Sequence, residues 1–159
     1  MIMIEKPNED DIKQLAKLYK DVFTVHNIFT KPDKEVLDYL DNVDGEILVA
    51  KENGKVLGGC LIEYTKSQYS HSLWRIKHLA VSREKQHEGV GSVILEEIEG
   101  MIKERISIKD VKSAKAEVHV SENEKESIGF YKKHGFVIEG ELKDHYRKGE
   151  TCFILGKSY

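Results

Sequence analysis

The chain is short of the residues that staple a fold or break it. It has only two cysteines, Cys60 and Cys152. Each lies in a strand-like segment, and neither shows the close spacing of a metal knuckle. They read as free buried thiols in a reducing, cytoplasmic setting, and no metal is expected. No histidine partner for Cys152 is visible in the sequence, so it is not read as a nucleophile. The two prolines, Pro7 and Pro32, both fall where an element begins or ends. No apolar run approaches a membrane span, and Met1 to Ile4 is too short for a signal core, so no membrane partner is expected. With a net charge of −3 and both signs mixed, no basic stretch is dense enough for nucleic acid. Repeats, linkers and low-complexity segments are missing as well. The 159 residues therefore read as one domain, 1–159, as a monomer or homodimer.

What is present alternates strand and helix. Ile2 to Glu5 is a first strand that Pro7 ends. Asn8 is placed to cap a helix carrying Asp10 and Asp11 in its first turn and an apolar stripe of Ile12, Leu15, Leu18, Tyr19 and Val22. An apolar loop, Phe23 to Phe29, follows, and then a short helix from Pro32 to Leu40. Strands Glu46–Lys51 and Lys55–Thr65 meet at Asn53-Gly54, a strong hairpin signal. Gly58-Gly59 within the second strand predicts a bulge or a close backbone approach. Next come a strand over 73–81, a helix over 90–105 and a strand over 115–120. A helix over 124–134 is closed by Gly135. Strands 136–142 and 151–157 form a last hairpin. The fold class is α/β (α+β): a seven-stranded mixed sheet with four helices and a central parallel strand–helix–strand unit.

The rest of the chain is organised around residues 73 to 92. A strand ending in Val81 leads through Gln86-His87-Glu88-Gly89-Val90-Gly91-Ser92 into a helix with Ile94, Ile98, Met101 and Ile102 on one face. A glycine turn at a helix N-terminus offers unpaired N–H groups and a positive dipole end, a cradle for phosphate. The spacing is neither that of a Walker loop, which needs Gly-Lys-Ser/Thr, nor Gly-x-Gly-x-x-Gly.

The Gln-x-x-Gly-x-Gly pattern after this strand resembles the pyrophosphate loop of the GCN5-related N-acetyltransferases (GNAT family). A second stretch, Ser127-Ile128-Gly129-Phe130-Tyr131-Lys132-Lys133-His134-Gly135-Phe136, resembles that family's tyrosine-bearing helix and the start of its next strand. The element order is similar along nearly the whole chain. The resemblance implies acetyl-CoA as co-substrate, held by Leu79, Ala80 and Val81 and by Gln86, His87, Glu88, Gly89, Val90, Gly91 and Ser92. It also implies contacts from Glu124 and Tyr131. Three positions depart from the pattern. His87 replaces a glycine, Glu88 stands where a basic residue is common, and the family asparagine falls on Glu124, with Asn123 one place early.

The same resemblance makes Tyr131 the residue that meets the coenzyme sulfur. In family members that acetylate peptide α-amines, a base lies on the strand twelve residues before that tyrosine, and His119 occupies the position. An imidazole titrating at about 6.5 suits a base at neutral pH. Glu117 shares its strand face and is placed to orient His119 or to act in its stead. His78 is the reserve base. His145-Tyr146 resembles a peptide-gripping loop of protein N-terminal acetyltransferases, most like the ribosomal-protein-alanine type, and Phe23 with Val25 resembles the facing lip. The expected reaction is direct attack of an α-amine on the thioester. A small amine (polyamine or amino sugar) as acceptor, and a non-catalytic acyl-CoA-binding module, remain the alternatives.

Overall fold

The computed structural model describes residues 1–24 and 27–159, with Asn27 described by its backbone alone. In chain order the elements are β1 (Met3–Glu5), α1 (Glu9–Val22), α2 (Asp33–Asp41), β2 (Glu46–Glu52), β3 (Lys55–Lys66) and β4 (His71–Val81). They continue with α3 (Val90–Ser107), β5 (Ser113–Ser121), α4 (Lys125–Lys133), β6 (Val137–Lys143) and β7 (Thr151–Ser158). Short 3-10 turns occupy Asn27–Thr30 and Arg83–Lys85. The first of these falls in the stretch expected to be an irregular apolar loop. The strands form one mixed sheet in the order β1-β2-β3-β4-β5-β7-β6. Among the described residues no helix is long and apolar enough to cross a membrane.

The chain divides into two compact units, each drawn from two segments. The first comprises Met1–Glu63 and His78–Met101. Its first helix begins at a reciprocal cap: the Asn8 side chain accepts from Asp11 N at 2.8 Å, and the Asp11 carboxylate accepts from Asn8 N at 3.0 Å. That carboxylate is buried but neutralised by Lys51 Nζ at 3.0 Å, which Glu5 also meets. Leu15, Leu18 and Tyr19 from α1, Phe29 from the 3-10 turn, Val36 and Leu40 from α2, and Val49 and Leu61 from the sheet form the core. Fully burying an aliphatic side chain of this kind contributes about 1.5–3 kcal/mol. The paired glycines behave as expected. A Cβ on Gly58 would lie 2.6 Å from the Ala80 carbonyl oxygen, and one on Gly59 would lie 2.8 Å from Leu15. The β2–β3 ladder also shifts register beside them, between Ala50 and Lys51.

The second unit comprises Tyr64–Lys77 and Ile102–Tyr159. It holds the parallel pairing of β4 with β5, which runs from His71↔Ser113 to Arg75↔Glu117. On its other edge β5 pairs antiparallel with β7, and β7 with β6. Ala114, Ala116, Val118 and Val120 of β5 are buried, while Lys115, Glu117 and His119 point to the opposite, half-exposed face. This alternation sets the chemical residues of β5 on one surface.

Candidate active site

In the first unit, the turn between β4 and α3 is stitched to β3 and to the end of β4. Ser82 N donates to Leu57 O at 2.8 Å, and Gln86 Nε2 donates to Val81 O at 3.1 Å. Gln86 therefore braces the turn through its side chain. His87 and Gly89 take φ values of +66° and +87°, on either side of Glu88. Left-handed residues in such a turn aim successive amides into a concave nest. The first helical hydrogen bond runs from Val93 N to Gly89 O at 3.1 Å, so the amides of Val90 and Gly91 precede the helix ladder. Open space surrounds the position of a Gly89 Cβ, so it is the backbone angle that calls for glycine. Glu88 is solvent-facing, with Lys85 Nζ at 4.0 Å. Ser82 Oγ is buried with no hydrogen-bond partner among the described residues. Leu79 and Val81 are half-buried and Ala80 is buried on the same strand end. An N–H nest at a helix start fits the diphosphate of a coenzyme.

His78 lies within β4 at φ +51°, in the left-handed region that a non-glycine residue rarely adopts. Its Nε2 lies 2.9 Å from the Tyr39 hydroxyl, and the rings of Tyr19, Phe23, Phe29 and Tyr39 surround it at 5.0 to 6.1 Å between centroids. Burial pushes the Tyr39 phenol above its ordinary pKa, with Glu63 adding to the effect. Phe23, one of the expected substrate contacts, stacks on Phe29 at 5.4 Å and belongs to this aromatic cluster. Val25 lies outside the described residues. The Tyr39–His78 pairing joins α2 to β4 and had no counterpart in the sequence reading.

In the second unit, His119 Nε2 lies 3.2 Å from Glu117 Oε1. An ionised carboxylate only accepts, so Nε2–H donates and the neutral ring keeps its lone pair on Nδ1. Arg75 Nη2 approaches the same Glu117 oxygen at 3.6 Å. Glu117 is thus paired with His119, and Arg75 stands near it as a counter-charge.

The β6–β7 turn comes over this face. The rings of His119 and His145 lie 5.9 Å apart, and His145 contacts Tyr146 at 4.8 Å. Tyr146 hydrogen-bonds the Cys152 thiol. Burial is the main cause that raises the Tyr146 phenol above its ordinary range, and the neighbouring Cys152 adds to it. Burial likewise raises the Cys152 thiol, against a smaller lowering by the Tyr146 hydrogen bond. Donor atoms of His119, His145 and Cys152 lie within 4.8 Å of one another, a proximity that the sequence alone did not show. The reason is strand register. Ser121 pairs with Cys152, which places Cys152 on the same sheet face as His119, one diagonal step away.

The turn is held by Glu150, a buried carboxylate. It accepts from Ser121 Oγ at 2.8 Å, Asn123 Nδ2 at 3.1 Å and Arg147 Nε at 2.6 Å. The Ser121 bond first, and then Arg147, hold its carboxyl below the ordinary range. Sequence reasoning missed this anchor, because Ser121, Asn123, Arg147 and Glu150 are drawn together only by the β5–β7 pairing. It commits the Asn123 amide internally. Glu124 stands at the N-cap of α4 without a side-chain capping bond. Tyr131 is buried on α4, its ring 5.3 Å from Phe136 and 5.2 Å from Phe130.

The fold is α/β with a parallel β4–β5 pair; an N–H nest lies in the first unit and a histidine–carboxylate pair in the second. The sequence matches the family model for the acetyltransferase (GNAT) domain over residues 43–138, more than half of the chain. The chain belongs to the GNAT acetyltransferase family; it is an acetyltransferase with acetyl-CoA as co-substrate. No curated protein matches it in sequence. Its fold is similar to that of Arabidopsis thaliana Naa50 in complex with the bisubstrate analogue CoA-Ac-MVNAL, at 22% identity and a TM-score of 0.78, covering 99% of each chain. It is also similar to the Escherichia coli ribosomal-protein-S18-alanine N-acetyltransferase, at 15% identity and 0.74, covering 99% of this chain and 94% of that one. An aminoglycoside 6'-N-acetyltransferase complexed with coenzyme A resembles it at 12% identity and 0.73, covering 98% and 96%.

Proposed function

We propose that the 159-residue chain is a single N-acetyltransferase domain that acetylates the α-amine of a protein or peptide N-terminus. The observation that carries this reading is the His119–Glu117 pair at 3.2 Å on β5, in the strand register that also brings the His145–Tyr146 turn to the same face. Support for a peptide acceptor comes from the likeness to an enzyme bound to a peptide-bearing bisubstrate analogue. The likeness to an aminoglycoside acetyltransferase supports a small amine as the second reading.

In this reading the amides of residues 86–92 hold the pyrophosphate of acetyl-CoA, and the strand end at Leu79, Ala80 and Val81 holds its arm. Glu124, at the start of α4 in the second unit, keeps the coenzyme contact that the family resemblance implies. In the second unit His145 and Tyr146 are assigned to the acceptor, and in the first Phe23 keeps the lip role that the family resemblance implies. An α-amine, with an ordinary pKa of about 7.7–8.0, has a usable neutral fraction at neutral pH. Its nitrogen attacks the acetyl carbonyl and the carbon–sulfur bond breaks. His119 takes the amine proton, with Glu117 stabilising the imidazolium. Tyr131 gives a proton or a hydrogen bond to the departing thiolate, and solvent restores both groups. The products are the acetylated amine and free coenzyme A thiol.

Steady-state kinetics on a responsive peptide test the assignment. His119→Ala is expected to lower kcat/KM by on the order of 10²-fold and to remove the acidic limb of the pH–rate profile. Full activity with an unchanged profile would make His119 structural and move the test to Glu117 and His78.

A further inference from the structure

We infer that His119, His145 and Cys152 form a binding site for a zinc-class divalent transition-metal ion. Their donor atoms already lie within 4.8 Å of one another. Two imidazoles and a thiolate suit zinc, which takes nitrogen and sulfur donors at about 2.0–2.3 Å in a tetrahedron. Such a tetrahedron spaces its donors about 3.3–3.8 Å apart, so the cluster needs to contract by roughly 1 Å. His145 sits on an exposed turn and can supply that movement, whereas His119 and Cys152 are fixed by paired strands.

A second observation points the same way. A metal-bound histidine ordinarily donates its other ring N–H to a carboxylate, which sets the tautomer and raises ligand basicity. His119 already donates Nε2–H to Glu117 and keeps its lone pair on Nδ1. Cys152 has the matching outer contact, a hydrogen bond from Tyr146. Each fixed donor therefore has a partner of the kind that supports metal ligation. On binding, the Cys152 S–H bond is replaced by a sulfur–metal bond, and its proton goes to solvent. Water completes the fourth position.

Occupation would take the lone pair that His119 uses as a base, so the ion would inhibit acetyl transfer. That consequence rests on the function proposed above, whereas the binding site does not.

The test titrates the full chain with Co2+ as a spectroscopic probe and then displaces it with Zn2+. A thiolate-to-cobalt charge-transfer band with tetrahedral visible bands is expected, abolished by Cys152→Ser and retained by Cys60→Ser. His145→Ala, on the exposed turn and outside the core, is expected to weaken Zn2+ affinity by at least about tenfold while the thermal transition is kept. No sulfur-to-cobalt band, or a band that survives Cys152→Ser, overturns the site. A parallel assay follows acetyl transfer with Zn2+ and then with a chelator. Reversible inhibition supports both the site and the role of His119. A cobalt band without inhibition leaves the site standing and removes His119 as the base.

Discussion

Gly89 and Glu88 show how one residue's backbone and its neighbour's charge divide the work of a coenzyme cradle. At φ +87°, alanine in place of Gly89 carries a strain of about 1–2 kcal/mol although no atom obstructs its methyl group. Gly89→Ala is therefore expected to weaken acetyl-CoA binding by about tenfold, read by calorimetry; an unchanged affinity would remove the pyrophosphate from this turn. Glu88 faces solvent beside Lys85, where screening keeps charge effects small. Glu88→Arg should change affinity no more than about threefold. A large gain would mean that the carboxylate turns toward the phosphates. Tyr131→Phe is expected to lower kcat with little change in acetyl-CoA binding, because an interaction made only in the transition state is lost. These residues were legible in the sequence because each belongs to a local motif. Cys152 was not. Its company with His119 and His145 depends on the Ser121↔Cys152 register, which no spacing along the chain encodes.

Among the elements, the strand and helix limits followed the sequence closely, since caps and alternation are local. The Asn8–Asp11 capping box is one such signal. Asn8→Ala should reduce stability by about 1 kcal/mol, measured by denaturant unfolding. At the far end of α3, Asp110 clasps the second unit. Its carboxylate meets Lys66 Nζ at 2.9 Å and Arg105 Nη1 at 3.3 Å. The Lys66 bond first, and then Arg105, hold its pKa below the ordinary carboxylate value. A depressed folded pKa stabilises above the unfolded value, about 3.9, and that contribution is lost as the pH falls through the folded one. The Tm of Asp110→Asn should therefore lie below that of the native chain at pH 7, with the gap closing below about pH 4. A gap that persists in acid would show that Asp110 acts by packing. The 3-10 turn at Asn27–Thr30 and the Glu150 anchor were not legible. One depends on Phe29 packing against Tyr19 and His78, and the other on a buried carboxylate meeting partners from β5 and from its own turn.

For the whole molecule, a single strand–helix–strand crossover fixed the parallel pair, and two motifs in the right order pointed to the family before any strand order was known. The order β4-β5-β7-β6, which builds the His119 face, follows from pairing between segments distant in sequence. The proposed peptide acceptor rests, in the sequence, only on partial resemblances at Phe23, Val25, His145 and Tyr146. The most direct measurement is turnover of acetyl-CoA by the purified native chain against a panel of unblocked peptides, polyamines and amino sugars, with thiol release and mass spectrometry read together. The account predicts one thiol released per acetyl group transferred, with the acetyl group on a peptide α-amine. Turnover confined to polyamines or amino sugars, or acetyl-CoA binding without turnover on any amine, would contradict it.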